Sequence, residues 1–232
     1  MEIIRENIVE GTIEVSVINK EYTKFFSDFF GNEEKAINLL KACYEMTDQD
    51  VRPRRIINNI SRLISLGDEL ISIKPGRYGL AIFYWIVSIE AVSHIANQGE
   101  KERFKIKIIR DFFEEYIDET DKEFLLEHIE RAASDMREEI SPKISLSIIA
   151  TIFYNIRHDF VHEGIYSNFH FSSSNEERVL NSLVMKEYGK DVEEERTYYV
   201  SVTYEQMRKR IINGLLNFLK NKLTASNLSK KK

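Results

Sequence analysis

SPKISLSIIATIFYNIRHDFVHEG, residues 141–164, decides how this chain is read. Ile149, Ile152, Phe153, Ile156 and Phe160 recur at the spacing that lines one face of an α-helix. Ser147, Thr151, Asn155, His158 and His162 share the opposite face, and Arg157 stands on the boundary. Charged residues make up 31% of the chain, so a solvated face would carry Lys and Glu. This one carries small uncharged groups instead. It is expected to meet another helix, a second subunit or a ligand. Pro142 suits a first helical turn, with Ser141 as N-cap, and Gly164 suits the end.

The helix closes on Arg157, His158, Asp159, His162 and Glu163, a cluster that holds two of the chain's five histidines. His158 and His162 lie four apart, so both imidazoles face one way. His-Asp-Phe-Val-His is near the H-E-x-x-H zinc pattern, with the shorter Asp159 in place of Glu and no well-spaced third ligand after it. Arg157 and His162 lie five apart, roughly 140° around an unbroken helix. They converge on one phosphate only if the helix is irregular there or a symmetry mate contributes. Spacing alone also allows a structural salt bridge at Arg157 and histidines that merely cover the helix end.

Arg157-His158-Asp159-Phe160-Val161-His162 fits the R-x4-6-H motif of the HEPN superfamily. The wider run from Tyr154 through Gly164 resembles the Y-x-x-R-x-x-x-V-H-x-G form of its Apea-like branch. Glu90, in the apolar run Ile89-Glu90-Ala91-Val92, is similar to that branch's acidic residue in a hydrophobic helix. The resemblance covers about Leu80 to Leu223. His158 departs from the Ser or Asn that the branch often has.

The resemblance implies an antiparallel helical bundle and a metal-independent endoribonuclease that needs no cofactor. RNA brings its own nucleophile, the 2′-OH, so proton transfer and charge handling suffice. His162 is then the acid/base and Arg157 the group that stabilises charge on the phosphate. His158 and Asp159 become orienting residues, and cleavage leaves a 2′,3′-cyclic phosphate. The same resemblance implies a homodimer with two motifs facing across a two-fold axis, as the small-polar helix face also suggests. It further suggests a toxin or phage-defence effector, with an antitoxin or defence partner. The alternative is a catalytically inactive RNA-binding or dimerisation module; a zinc hydrolase using His158 and His162 is a third class.

Glu90 sits in an apolar helix of about residues 79–97, where a carboxylate is costly unless paired. It is expected to approach Arg157 and orient the guanidinium, the rival partner being His94. Upstream, Arg52, Arg54 and Arg55, with Arg62 further on, form the clearest basic patch and are candidates for RNA phosphate contact.

Few Gly and Pro among many Ile, Leu, Glu and Lys give a mainly α chain with a small β element. A net charge of −5 argues against a general nucleic-acid coat. A single cysteine, Cys43, suits a reducing cytoplasm. The acidic MEIIRENIVEG start has no signal-peptide core, and the apolar run Leu80–Ile89 is too short to span a bilayer, so a cytoplasmic protein without a membrane segment is expected. Residues 1–75 read as an accessory, mostly helical region ending at the turn Lys74-Pro75-Gly76. Residues 76–223 read as the HEPN-like domain, and 224–232 as a disordered tail. Within these, 2–18 suggests edge strands. Helices are expected at 19–30, 33–46, 51–66, 101–118, 120–138, 175–190 and 204–222, and a strand at 197–203. The helix over 101–118 is expected to turn Phe104, Ile108, Phe112 and Phe113 inward and to leave Lys101, Arg103, Lys105, Lys107 and Arg110 solvated; that over 120–138 carries Leu125, Ile129, Ala132 and Met136 on one stripe.

Overall fold

The computed structural model describes residues 17–45, 50–97, 104–132, 143–164, 169–174, 176–186 and 193–229. Helices form wherever a stripe of Ile, Leu and Phe can be buried. They are α1 (Val17–Phe30), α2 (Glu33–Glu45), α3 (Arg52–Ile73), α4 (Tyr78–Ala96), α5 (Lys105–Glu115), α6 (Glu119–His128), α7 (Leu146–His158) and α8 (Tyr204–Ser229). A single π-helical turn, Asp159–Glu163, continues α7. Three strands, β1 (Ile129–Arg131), β2 (Val179–Lys186) and β3 (Glu193–Val200), make an antiparallel sheet in the order β1-β3-β2. The protein is therefore mainly α with a small sheet.

The core is built around α4. Its sequence is apolar nearly all round because it is packed against α3, α5, α7 and α8. Ala81, Ile82, Trp85, Ile86 and Ile89 are all buried. Among the described residues α4 alone is long and apolar enough to cross a bilayer, which the shorter run Leu80–Ile89 did not suggest. Half of it is buried inside the protein, the condition of a core helix.

Helix α3 lies closest to α4. A Cβ on Gly67 would come within 3.3 Å of the Ala81 backbone, so the glycine is what lets the two helices approach. The expected turn at Lys74-Pro75-Gly76 joins them, with Gly76 at φ +80°. The core continues across it, and α3 is also tied to α8. The Tyr204 hydroxyl donates to Asp68 at 2.6 Å, and Arg208 Nε donates to the same carboxylate at 2.8 and 2.9 Å. The described part of residues 1–75 thus shares one core with 76–223.

Several elements differ from the sequence reading. The helix expected over 120–138 ends at His128, and Ile129–Arg131 turns into β1 against Tyr198–Val200 of β3. Leu125, Ile129 and Ala132 are buried as expected, but spacing that fits a helical stripe here belongs to a helix followed by a strand. The segment expected as helix over 175–190 contains β2 instead, because pairing with β3 overrides its weak helical preference. Helix α3 runs on to Ile73, and α8 to Ser229, through most of the expected disordered tail. Phe104, just before α5, is 85% exposed, and Ile109 within the helix takes the core position. The edge strands proposed within 2–18, the N-cap and first-turn roles of Ser141 and Pro142, Lys101, Arg103 and Met136 lie outside the described residues. Within them, Ser145 caps α7, its hydroxyl accepting from the Ile148 N–H at 3.3 Å.

Candidate functional site

Helix α7 presents Ile149, Ile152, Phe153 and Ile156 to the core as its periodicity requires. Its last residues change pitch. The Asp159 N–H still bonds back to Asn155 and Ile156, but the Gly164 N–H reaches Asp159 O, an i→i+5 bond. Gly164 then ends the turn at φ +64°, the left-handed region where a side chain is strained. Phe160 anchors the turn to α4, its ring centroid 4.6 Å from that of Phe83.

This wide turn lies between Arg157 and His162. An i→i+5 turn takes up more residues than an α turn, which swings residue 162 back toward the azimuth of residue 157. The helix is irregular at the one place where Arg157 and His162 need it to be.

Arg157 is buried, 6% exposed, and its Nη2 donates to Glu90 Oε2 at 3.1 Å. The pair joins α7 to α4. His94, the rival partner for Glu90, is exposed. Glu90 Oε1 and Arg157 Nε are both buried with no hydrogen-bond partner among the described residues. One ion pair is made, and one donor and one acceptor beside it remain open.

His158 is half-buried at the junction, and His162 is exposed. Their ring centroids are 4.6 Å apart, and Tyr154 lies 6.3 Å from His158 on the other side. Asp159 is half-buried, with its Oδ1 shielded from solvent. Val161, 47% exposed, and Glu163 complete an open surface around His162. Among the described residues no three His, Cys, Asp or Glu stand where they could hold a metal ion together.

The small-polar face of α7 meets its own chain. Arg110 on α5 donates to Thr151 Oγ1 at 3.0 Å, and that hydroxyl donates to Ser147 O at 2.7 Å. Asn155 is buried, its Nδ2 3.8 Å from Met185 Sδ on β2. The face is uncharged because it is covered by α5 and the sheet. It therefore gives no ground for a subunit interface. Arg110, expected among solvated cations, is the residue that sequence reasoning missed; only its place on the same α5 face as Phe113 hinted that it turns inward.

The basic patch divides. Arg52 holds the Asp50 carboxylate through Nε at 2.8 Å and Nη2 at 2.7 Å, and its Nη1 donates to Ala96 O at 3.3 Å. It ties the start of α3 to the end of α4, a structural task. Arg54 is exposed and lies over the Tyr44 ring at 4.8 Å, and Arg55 is exposed as well. Compared with known protein families, with curated proteins and with solved structures, the chain matches none.

Proposed function

We propose that the protein is a metal-independent endoribonuclease of HEPN type, with His162 as the acid/base and Arg157 as the charge that meets the phosphate. What supports it above all is the π turn between the two. It puts an exposed imidazole after a guanidinium whose orientation Glu90 fixes, and isolated π turns gather at functional sites. The exposed ring of His162 can take a proton from the ribose 2′-OH and return one to the leaving oxygen. Arg157 acts from behind the surface, its guanidinium held by Glu90 so that its positive charge lies near a phosphate seated beside His162. His158 packs against His162 and orients it. Exposed Arg54 and Arg55 are candidates to hold RNA phosphates; Arg52 is not, being committed to Asp50. A cytoplasmic toxin or phage-defence effector, acting as a homodimer and restrained by an antitoxin or defence partner, accords with this chemistry. Its dimer contact would involve the exposed Val161–Gly164 surface.

One observation favours a second reading. Arg157 is buried and already neutralised by Glu90, as in a structural ion pair. A catalytically inactive RNA-binding or dimerisation module fits that equally.

Incubation of the protein with a mixed RNA pool in excess EDTA, beside His162→Ala and Arg157→Lys, separates the two. Cleavage by the wild type alone, leaving 2′,3′-cyclic phosphate ends, is the expected result. RNA binding without cleavage by any of the three selects the module. Cleavage unchanged in both variants rules the assignment out.

A further inference from the structure

His158 and His162 carry a second chemistry. With a metal–nitrogen bond of about 2.0–2.1 Å and roughly one ångström more to each ring centre, two imidazoles on one ion have centres about 4.5–5 Å apart. The observed separation is 4.6 Å, with the ring planes 41° apart. His162 is exposed, so its ring can turn its lone pair toward a shared ion without disturbing the core. The cation five residues earlier, Arg157, has its charge offset by Glu90, which lowers the cost of bringing up a dication.

We propose that His158 and His162 bind one divalent transition ion of the imidazole-preferring kind (Zn2+, Ni2+ or Cu2+), and that this ion switches the site off. Coordination occupies the nitrogen of His162 that would otherwise move the proton. The inhibitory half rests on the ribonuclease reading; the ion site does not. The ion is an inhibitor rather than a catalyst for two structural reasons. Asp159, the residue in the general-base position of the zinc-hydrolase pattern, has its Oδ1 buried. No third protein ligand stands ready among the described residues, so water completes the shell and the ion exchanges.

The test is titration of tag-free, full-length protein with Zn2+ by calorimetry and with Cu2+ by visible absorption. One ion per chain is expected, with affinity falling at least tenfold in His158→Ala and in His162→Ala separately. Equal affinity in the wild type and both variants, binding that survives the double substitution, or no binding at all overturns the site. RNA cleavage is then compared in EDTA and in saturating Zn2+. Loss of cleavage with Zn2+, restored by EDTA, is the expected outcome; cleavage unaffected by bound Zn2+ overturns the switch. If Zn2+ binds at the two histidines but RNA is never cleaved, the ribonuclease reading and the switch fall together, and the ion site stands.

Discussion

Arg157 on α7 and Glu90 on α4, 67 residues apart in sequence, meet through a single 3.1 Å bond in a largely buried setting. Their side chains are 8% and 14% exposed, so each charge offsets part of the other's cost of burial. Glu90→Ala or Arg157→Ala leaves a buried charge unpaired and should cost about 3–5 kcal/mol of stability. Glu90→Ala combined with Arg157→Ala should cost far less than the two single changes added together. Urea denaturation of the four proteins gives the coupling, and additive losses would mean that the pair is not an interacting unit.

Gly164 closes the π turn at φ +64° with nothing within 4 Å of where a Cβ would stand. The only penalty for a side chain is backbone strain. Gly164→Ala should lose about 1–2 kcal/mol, and Gly164→Asn less, since Asn tolerates the left-handed region. If Gly164→Ala and Gly164→Asn are equally destabilised, strain at this φ is not what Gly164 relieves. If the ribonuclease proposal holds, Gly164→Ala should also reduce RNA cleavage more than it reduces folding, because the turn carries His162.

The clamp between α3 and α8 bears on how residues 1–75 relate to the rest. Tyr204 loses its bond to Asp68 in Tyr204→Phe, a hydrogen bond to a charged group worth about 1.5–3 kcal/mol. The single tryptophan, Trp85, stacks on the same ring with centroids 5.3 Å apart, so its fluorescence reports the junction directly. One unfolding transition, shifted as a whole to lower urea, is expected. Two transitions, with Trp85 following only the second, would instead mark the N-terminal helices as an independent unit.

Periodicity made most of the helices legible, because stripes such as Ile149, Ile152, Phe153 and Ile156 state which face is buried whatever buries it. The Glu90–Arg157 pair was legible for a related reason: a carboxylate in an apolar helix demands a partner. What is covering an uncharged face cannot be read this way. The face of Thr151 and Asn155 looks the same whether α5 and β2 cover it or a second subunit does. The strand at Ile129–Arg131 was hidden because three residues carry too short a pattern to separate strand from helix, and only the pairing with β3 decides it. The π turn has no sequence signature beyond Gly164, yet it sets how Arg157 and His162 relate.

Cys43 gives a pH dependence whose sign can be worked out. Burial pushes its thiol up from 9.0 to about 12, because the thiolate would have to form without water around it. The folded state therefore holds its proton more tightly than the unfolded state. The stabilisation this represents is complete below pH 9, where both states keep the thiol, and is lost progressively as pH rises from 9 toward 12. Tyr204, raised above 10.0 chiefly by burial and further by Asp68, adds a loss of the same sign that begins about one pH unit later. The urea midpoint should be flat from neutral pH to about pH 8.5 and fall above it. Cys43→Ala should be the less stable protein at pH 7, since it leaves a small void, but its decline should begin only where Tyr204 starts to ionise. The two curves should then converge as pH rises past 9. Parallel curves would show that the buried thiol is not the group responsible. The native thiol should also react slowly with a disulfide reagent at pH 8 and rapidly once urea unfolds the chain.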